Sequence, residues 1–206
     1  MRVLEVFDSL QGEGVWAGVA MTFVRFAGCN ASDLRLGCLA WCDTPQSWRA
    51  DGGVETDSAQ IVERVLRGGL GRVCLTGGEP LLQGEHLARL IERLQDAGVL
   101  VHVETNGTLP PPGATRPDWV TVSPKPPDYV IVGGLCGMVD ELKVVVDQDF
   151  QVAWVEALAA EHPSAAVCLQ PEASRLAETG KVAADAVLAH PGWRLSIQLH
   201  RVLGIP

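Results

Sequence analysis

The stretch VCLTGGEPLLQGEHLARLIERLQDAGVLVHVETNG, residues 73 to 107, reads as strand, helix and strand in succession. Val73-Cys74-Leu75 is a short apolar run that closes in Thr76-Gly77-Gly78-Glu79-Pro80, where adjacent glycines let the backbone approach a ligand or take positive φ. From Glu85 to Ala97 the residues Leu87, Leu90, Ile91 and Leu94 recur at helical spacing on one face. Val99 to Val103 is a buried strand ending in Glu104-Thr105-Asn106-Gly107. Two such strands joined through a helix lie parallel, because only a crossover of this length returns the chain to the same end of the sheet.

The same alternation continues on both sides. Arg2 to Phe7 and Met21 to Phe26 read as strands around a Gly-rich turn, and Ile61, Val62, Val65 and Leu66 mark a helix from Thr56 to Leu66 with Thr56 or Asp57 as its cap. Pro110 to Pro127 is a proline-rich loop around one short strand, Trp119 to Val122. Beyond it, Val139 to Val146 is strand-like and Val152 to Ala160 helical, and Ala165 to Leu169 is a strand. Leu176 to Ala189 reads as a helix interrupted near Gly180, and Trp193 to Leu199 as the last strand. This order predicts an α/β fold, a largely parallel sheet with helices outside it, either an incomplete barrel or a doubly wound sheet. The 206 residues suit one domain and fall short of the roughly 250 of a complete eight-unit barrel. Both architectures place ligands at the carboxyl ends of the strands.

Those ends are polar: Thr76 to Pro80, Glu104 to Gly107, Ser123-Pro124-Lys125 and Gln170-Pro171-Glu172. The glycine turn lacks the Lys-Ser/Thr of a phosphate loop and the spacing of a dinucleotide fingerprint. Beside these ends stands Gly28 to Trp48, GCNASDLRLGCLAWCDTPQSW, with three cysteines, Cys29, Cys38 and Cys42, in one loop. Three thiolates hold three irons of a four-iron cluster and leave one open, whereas a closed structural zinc site takes four protein ligands. A net charge of −9, from 16 basic and 25 acidic residues, argues against a nucleic-acid or anionic-membrane surface and for a small substrate. The amino terminus carries acidic residues where a signal peptide is apolar, so a cytoplasmic location is expected and the six cysteines read as thiols or metal ligands. Cys74 and Cys168 sit in apolar runs and read as core, and Cys136 has no partner spacing.

The three-cysteine loop, the GGEP turn, ETNGT and SPK together resemble the radical S-adenosylmethionine enzymes, within them the 7-carboxy-7-deazaguanine synthase family of queuosine and deazapurine biosynthesis. Ser9-Leu10-Gln11-Gly12-Glu13-Gly14, the CDTPxSW run and the closing LSIQLH with Gly204-Ile205-Pro206 carry the subfamily likeness, which runs from end to end. The resemblance implies a partial barrel. It implies a [4Fe-4S] cluster on Cys29, Cys38 and Cys42, with S-adenosylmethionine on the open iron. Trp41, Cys42, Asp43 and Gly78 would meet that cofactor, with Ser123, Pro124, Lys125, Gln170, Pro171, Glu172 and Ala173 completing its pocket and Glu104 and Asn106 near the ribose. Thr44 matches the family's hydroxyl ligand for Mg2+.

The implied substrate is 6-carboxy-5,6,7,8-tetrahydropterin, and the implied reaction is hydrogen removal by a 5'-deoxyadenosyl radical, ring contraction and loss of ammonia. Arg25 would meet the substrate carboxylate, Gln11 and Glu13 the pterin edge, and Leu10 and Gly12 would add contacts from the same segment. Thr76, His200 and the carboxylate of Pro206 would reach the ring. The resemblance also implies a homodimer and an electron donor of the flavodoxin or ferredoxin type.

One feature departs from the superfamily's usual CxxxCxxC. Here eight residues separate Cys29 from Cys38 and three separate Cys38 from Cys42, so Cys38 keeps its direction only if Leu39-Ala40-Trp41 bulges. Two other readings share parts of the pattern. A glycyl-radical activating enzyme uses the same cofactor but acts on a protein and has no need of Gln11 or Glu13. A zinc-stabilised binding protein would keep the fold without the chemistry.

Overall fold

The computed structural model describes residues 1–206. It begins with an antiparallel pair, β1 (Arg2–Leu10) and β2 (Ala20–Phe26), and the two-residue β3 (Val54–Glu55) lies against the outer side of β1. There follow α1 (Ser58–Gly68), β4 (Arg72–Gly77), α2 (Glu85–Asp96), β5 (Leu100–Thr105), β6 (Trp119–Val122), β7 (Glu141–Val146), α3 (Val152–Glu161), β8 (Ala166–Pro171), α4 (Leu176–Ala189), β9 (Arg194–Leu195) and α5 (Leu199–Leu203). All nine strands form one sheet in the order β3-β1-β2-β4-β5-β6-β7-β8-β9, and every pair from β2 onward is parallel. β3 and β9 are its free edges, so the sheet does not close.

Strand register decides between the two architectures. Val24 pairs with Leu75, Leu75 with Val103, Val103 with Val120, Val122 with Leu142, and Leu142 with Val167, so these residues share one face of the sheet. On that face Val24, Val73, Leu75, Val101 and Val103 pack with Ile61 and Val65 of α1 and Leu87, Leu90, Ile91 and Leu94 of α2. Farther along, Val120, Val122, Leu142, Val144, Val167 and Leu169 pack with Val155 and Leu158 of α3 and Ala183 of α4. All four long helices therefore cover the same side. A doubly wound sheet would divide them between two sides, so this is the incomplete barrel.

Local sequence accounts for the helix ends. Asp57 accepts from the Gln60 backbone at 2.9 Å while the Gln60 side chain returns to the Asp57 N–H at 3.2 Å, a reciprocal cap that starts α1. Gly69 stops it in the left-handed conformation at φ 70°. Replacing Asp57 by alanine is expected to lower stability by about 1 kcal/mol, seen as a lower urea midpoint with an unchanged slope.

Two sequence expectations are corrected. Helix α4 runs unbroken through Gly180, whose cost of about 1 kcal/mol relative to alanine is offset by the packing of Ala183, Ala186 and Val187 against the second core. The last strand spans only Arg194–Leu195 in place of Trp193 to Leu199. Beyond it the Leu199 N–H donates to the Gly12 carbonyl at 2.8 Å and α5 begins, so the chain turns off the edge and back over the sheet. No helix is long and apolar enough to cross a membrane.

Candidate active site

Strand side chains alternate, so residues one position away from the helix-facing set point to the opposite, concave face. They are Thr76 of β4, His102 and Glu104 of β5, Glu141, Lys143 and Val145 of β7, and Cys168 and Gln170 of β8. Toward the carboxyl ends of the strands this face opens into a cavity of about 680 Å3. Its wall contains Leu10, Gln11, Gly12, Glu13, Arg25, Cys29, Cys38, Trp41, Cys42, Asp43, Thr44, Thr76, Gly78, Glu104, Asn106, Ser123, Lys125, Gln170, Pro171, Glu172, Ala173, His200 and Pro206. Of the residues singled out in the sequence only Pro124 is off the wall, buried between Ser123 and Lys125. The wall also holds groups the sequence reading did not single out, chiefly Lys143, Gln198 and Arg201.

The cysteine loop is laced to the sheet by its backbone. Gly28 N–H donates to Ser47 O at 2.8 Å, Cys29 N–H to Trp48 O at 3.2 Å, and Glu79 N–H to Gly28 O at 2.8 Å. A Cβ at Gly78 would lie 2.1 Å from that Gly28 carbonyl, so the turn after β4 accepts only glycine there. Glu79 is fully buried and takes Thr105 Oγ1 at 2.8 Å, Asn106 N–H at 2.7 Å and Leu81 N–H at 3.0 Å, which joins the ends of β4 and β5. Burial pushes its pKa up against the pull of these donors.

The unusual cysteine spacing is absorbed by a turn of 3-10 helix over Gly37–Ala40, with Trp41 N–H donating to Cys38 O at 3.1 Å. That tightened turn is the bulge the spacing requires, and it leaves Cys38 buried on the cavity wall with Cys29 and Cys42. Burial raises the pKa of Cys29 and pushes Cys38 up to about 11, with each of the other two loop thiols in electrostatic reach of Cys38. Trp48 Nε1 donates to Cys42 Sγ at 3.2 Å, and Lys125 Nζ stands 5.6 Å from the Trp41 ring centroid. This donor set suits a cluster held by three thiolates: it is sulfur only, beside an ammonium and an N–H···S bond that stabilise negative sulfur. It does not suit a four-ligand zinc site, since Cys74 and Cys168 are buried in their strands and Cys136 is exposed away from the cavity.

Beside the loop, carboxylates and one ammonium interlock, reaching Asp43 of the loop itself. Lys143 Nζ lies 2.5 Å from Glu13 Oε2 and 3.5 Å from Glu104 Oε1. Gln11 Nε2 donates to Glu104 Oε1 at 2.9 Å, and Thr76 Oγ1 to Glu104 Oε2 at 3.3 Å. Gln198 Nε2 bridges Glu13 Oε1 and Asp43 Oδ2, both at 2.7 Å. Burial works against the Glu13 carboxylate, but the Lys143 charge and the hydrogen bonds of Lys143 and Gln198 outweigh it and hold the pKa at about 2. Lys143 is driven well above the ordinary lysine value, burial being overcome by Glu104, Glu13 and Glu141. Arg25 pairs with Glu5 through Nε at 2.7 Å and also lines the cavity. His200 is a wall residue on α5, and a Cβ at Gly12 would lie 2.0 Å from its Nδ1.

No family model matches the chain. A 7-carboxy-7-deazaguanine synthase from Bacteroides thetaiotaomicron is 40% identical over 205 residues, covering 99% of this chain and 98% of the relative. The enzyme of that name from Synechocystis sp. is 35% identical over 205 residues, with 98% and 92% covered. Among solved structures, QueE from Escherichia coli superposes with a TM-score of 0.80 at 28% identity, over 97% of this chain and 94% of that one. With its unclosed barrel and a three-thiol loop opening into the cavity, and with relatives this similar along nearly their whole length, the chain belongs to the 7-carboxy-7-deazaguanine synthase family of radical S-adenosylmethionine enzymes.

Proposed function

We propose that the chain is a carbon-nitrogen lyase converting 6-carboxy-5,6,7,8-tetrahydropterin to 7-carboxy-7-deazaguanine with loss of ammonia, in queuosine or another 7-deazapurine route. The observation that carries this reading is that the three loop thiols and the polar groups of Gln11, Glu13 and Glu104 line one cavity. When bound, the cluster and S-adenosylmethionine supply one-electron cleavage to a carbon radical that takes hydrogen from the substrate.

The chain's own residues bind, orient and exclude water. Cys29, Cys38 and Cys42, which line the cavity, would hold the cluster. Trp41, Asp43, Gly78, Ser123, Lys125 and the Gln170 to Ala173 segment line the S-adenosylmethionine side, with Asn106 toward the ribose and Pro124 shaping the turn behind them, while Glu104, which accepts from Gln11 and Thr76, belongs with the pterin side. Thr44 lines the cavity and would offer its hydroxyl to Mg2+, a hard cation that takes oxygen ligands. On the pterin side Arg25 offers its free guanidinium nitrogens to that carboxylate, and Gln11, Glu13, Thr76 and His200 meet the ring, with Leu10, Gly12 and Pro206 closing around it. A cytoplasmic location, a homodimer and a flavodoxin or ferredoxin donor belong to the same reading. Gln11 and Glu13 favour it over a glycyl-radical activating enzyme, whose protein substrate gives such groups no partner.

The test is an anaerobic assay with the carboxytetrahydropterin, S-adenosylmethionine and a reductant, with and without Mg2+. Formation of the deazaguanine, faster with Mg2+, is expected; cofactor cleavage with no pterin product would overturn the substrate assignment. Gly12→Ala should displace His200 and lower kcat/KM about tenfold or more while iron content stays at the wild-type level. An unchanged kcat/KM would remove His200 from the substrate site.

A further inference from the structure

Lys143 sits in the strand ELKVVV, whose six residues are all buried, and its own side chain is 7% exposed. A buried ion pair is weak support for a fold, since apolar residues of like volume commonly serve as well or better. Its position asks for another account. The ammonium reaches two carboxylates that both line the cavity and that come from different elements, Glu13 from the segment after β1 and Glu104 from β5.

Without the cation, burial and the Glu13 charge would push the Glu104 carboxyl up unopposed by Lys143, favouring protonation of one of the pair and so turning an acceptor into a donor. With Lys143 present each remains an acceptor with about four lone-pair sites. Glu13 receives Lys143 and Gln198, and Glu104 receives Lys143, Gln11 and Thr76. Acceptor capacity is therefore left over on both, and both residues line the cavity.

We propose that Lys143 is a positioning residue that sets substrate choice: by keeping Glu13 and Glu104 as paired acceptors it matches this wall to the amine and ring N–H donors of a 2-amino-4-oxopyrimidine edge. The inference rests on the pterin reading above. A ligand with a 2-oxo group in place of the amine presents an acceptor to an acceptor, and a site built for a donor rejects such an analogue strongly.

The experiment uses cluster-loaded, unreduced protein with S-adenosylmethionine bound, and measures anaerobic affinity for the carboxytetrahydropterin and for its 2-oxo counterpart. Wild-type protein should favour the amine by roughly a hundredfold or more. Lys143→Met should cut that ratio below about tenfold, and Lys143→Arg should restore most of it, because the guanidinium keeps the charge. The ratio is the readout because a merely loosened site weakens both ligands alike. Should Lys143→Met not fold at the assay temperature, Lys143→Gln, which removes the charge but keeps a polar side chain and leaves Glu13 and Glu104 in place, replaces it with the same expectation. A wild-type ratio in a folded variant lacking Lys143 overturns the inference and leaves the pterin reading standing. Binding of neither ligand by wild-type protein overturns both.

Discussion

Alanine at Cys29, Cys38 or Cys42 should each abolish assembly of the four-iron cluster and reduce turnover by roughly a thousandfold or more. Loss of an outer partner of a metal ligand already costs about 10-fold to 100-fold, and a three-thiolate set has no spare ligand. The loop makes the prediction sharp for Cys38. Its place on the wall depends on the Gly37–Ala40 turn, and no other thiol lines the cavity to replace it. Burial raises the Cys29 thiol and pushes Cys38 up to about 11, and metal binding displaces those protons, so cluster assembly should be favoured by higher pH. Cys136→Ser is the matched control, exposed and off the cavity, and should behave as wild type. Near-normal iron, sulfide and turnover in Cys38→Ala would remove that residue from the cluster.

Lys143→Met should lower the free energy of unfolding by about 3–5 kcal/mol, because it leaves Glu13 and Glu104 buried without their cation. Glu13→Gln/Lys143→Met should recover part of that loss, since it removes the Glu13 charge and leaves only Glu104 of the two without its cation. The pH dependence follows from the direction of each shift. Glu13 falls from 4.5 to about 2 on folding, so its contribution is present above pH 4.5 and is lost as pH drops toward 2. Lys143 rises well above 10.5, so its contribution is complete below pH 10.5 and is lost only at higher pH. The stability gap between wild type and Lys143→Met is therefore widest from about pH 5 to 10 and narrows in acid. Urea midpoints measured at pH 7 and pH 3 check this, and a gap that does not change with pH would contradict the ion pair as its source.

Much of the fold was legible because its signals are local. The helix-periodic residues from Leu87 to Leu94 face one core, and the glycine turn after β4 lies where ligand-binding turns of parallel sheets lie. The choice between a half barrel and a doubly wound sheet was not legible in the individual segments and came from the family resemblance, which implied the half barrel that the structure shows. It depends on strand register across the sheet, which no single segment encodes. The edge failed for a related reason: Leu195 and Ile197 alternate like a strand, yet both stay nearly half exposed at the sheet margin. Gln198 is drawn instead toward Glu13 and Asp43.

Within the site, motif residues came through and their support did not. Lys143 was hidden by the apolar run around it, although alternation carried the clue. Val122 faces the helices opposite Leu142, and the residue after Leu142 must therefore face the cavity. A lone lysine on the concave face of a buried strand, among the glutamates of two neighbouring segments, is legible once both faces have been assigned.

The most direct test of the central claim is the electron paramagnetic resonance spectrum of anaerobically reconstituted, reduced protein before and after S-adenosylmethionine is added. Three loop thiols holding a four-iron cluster with one open iron predict a reduced-cluster signal that changes when the cofactor binds. Reconstituted protein that retains zinc without iron and sulfide, or a cluster signal indifferent to S-adenosylmethionine, would contradict it.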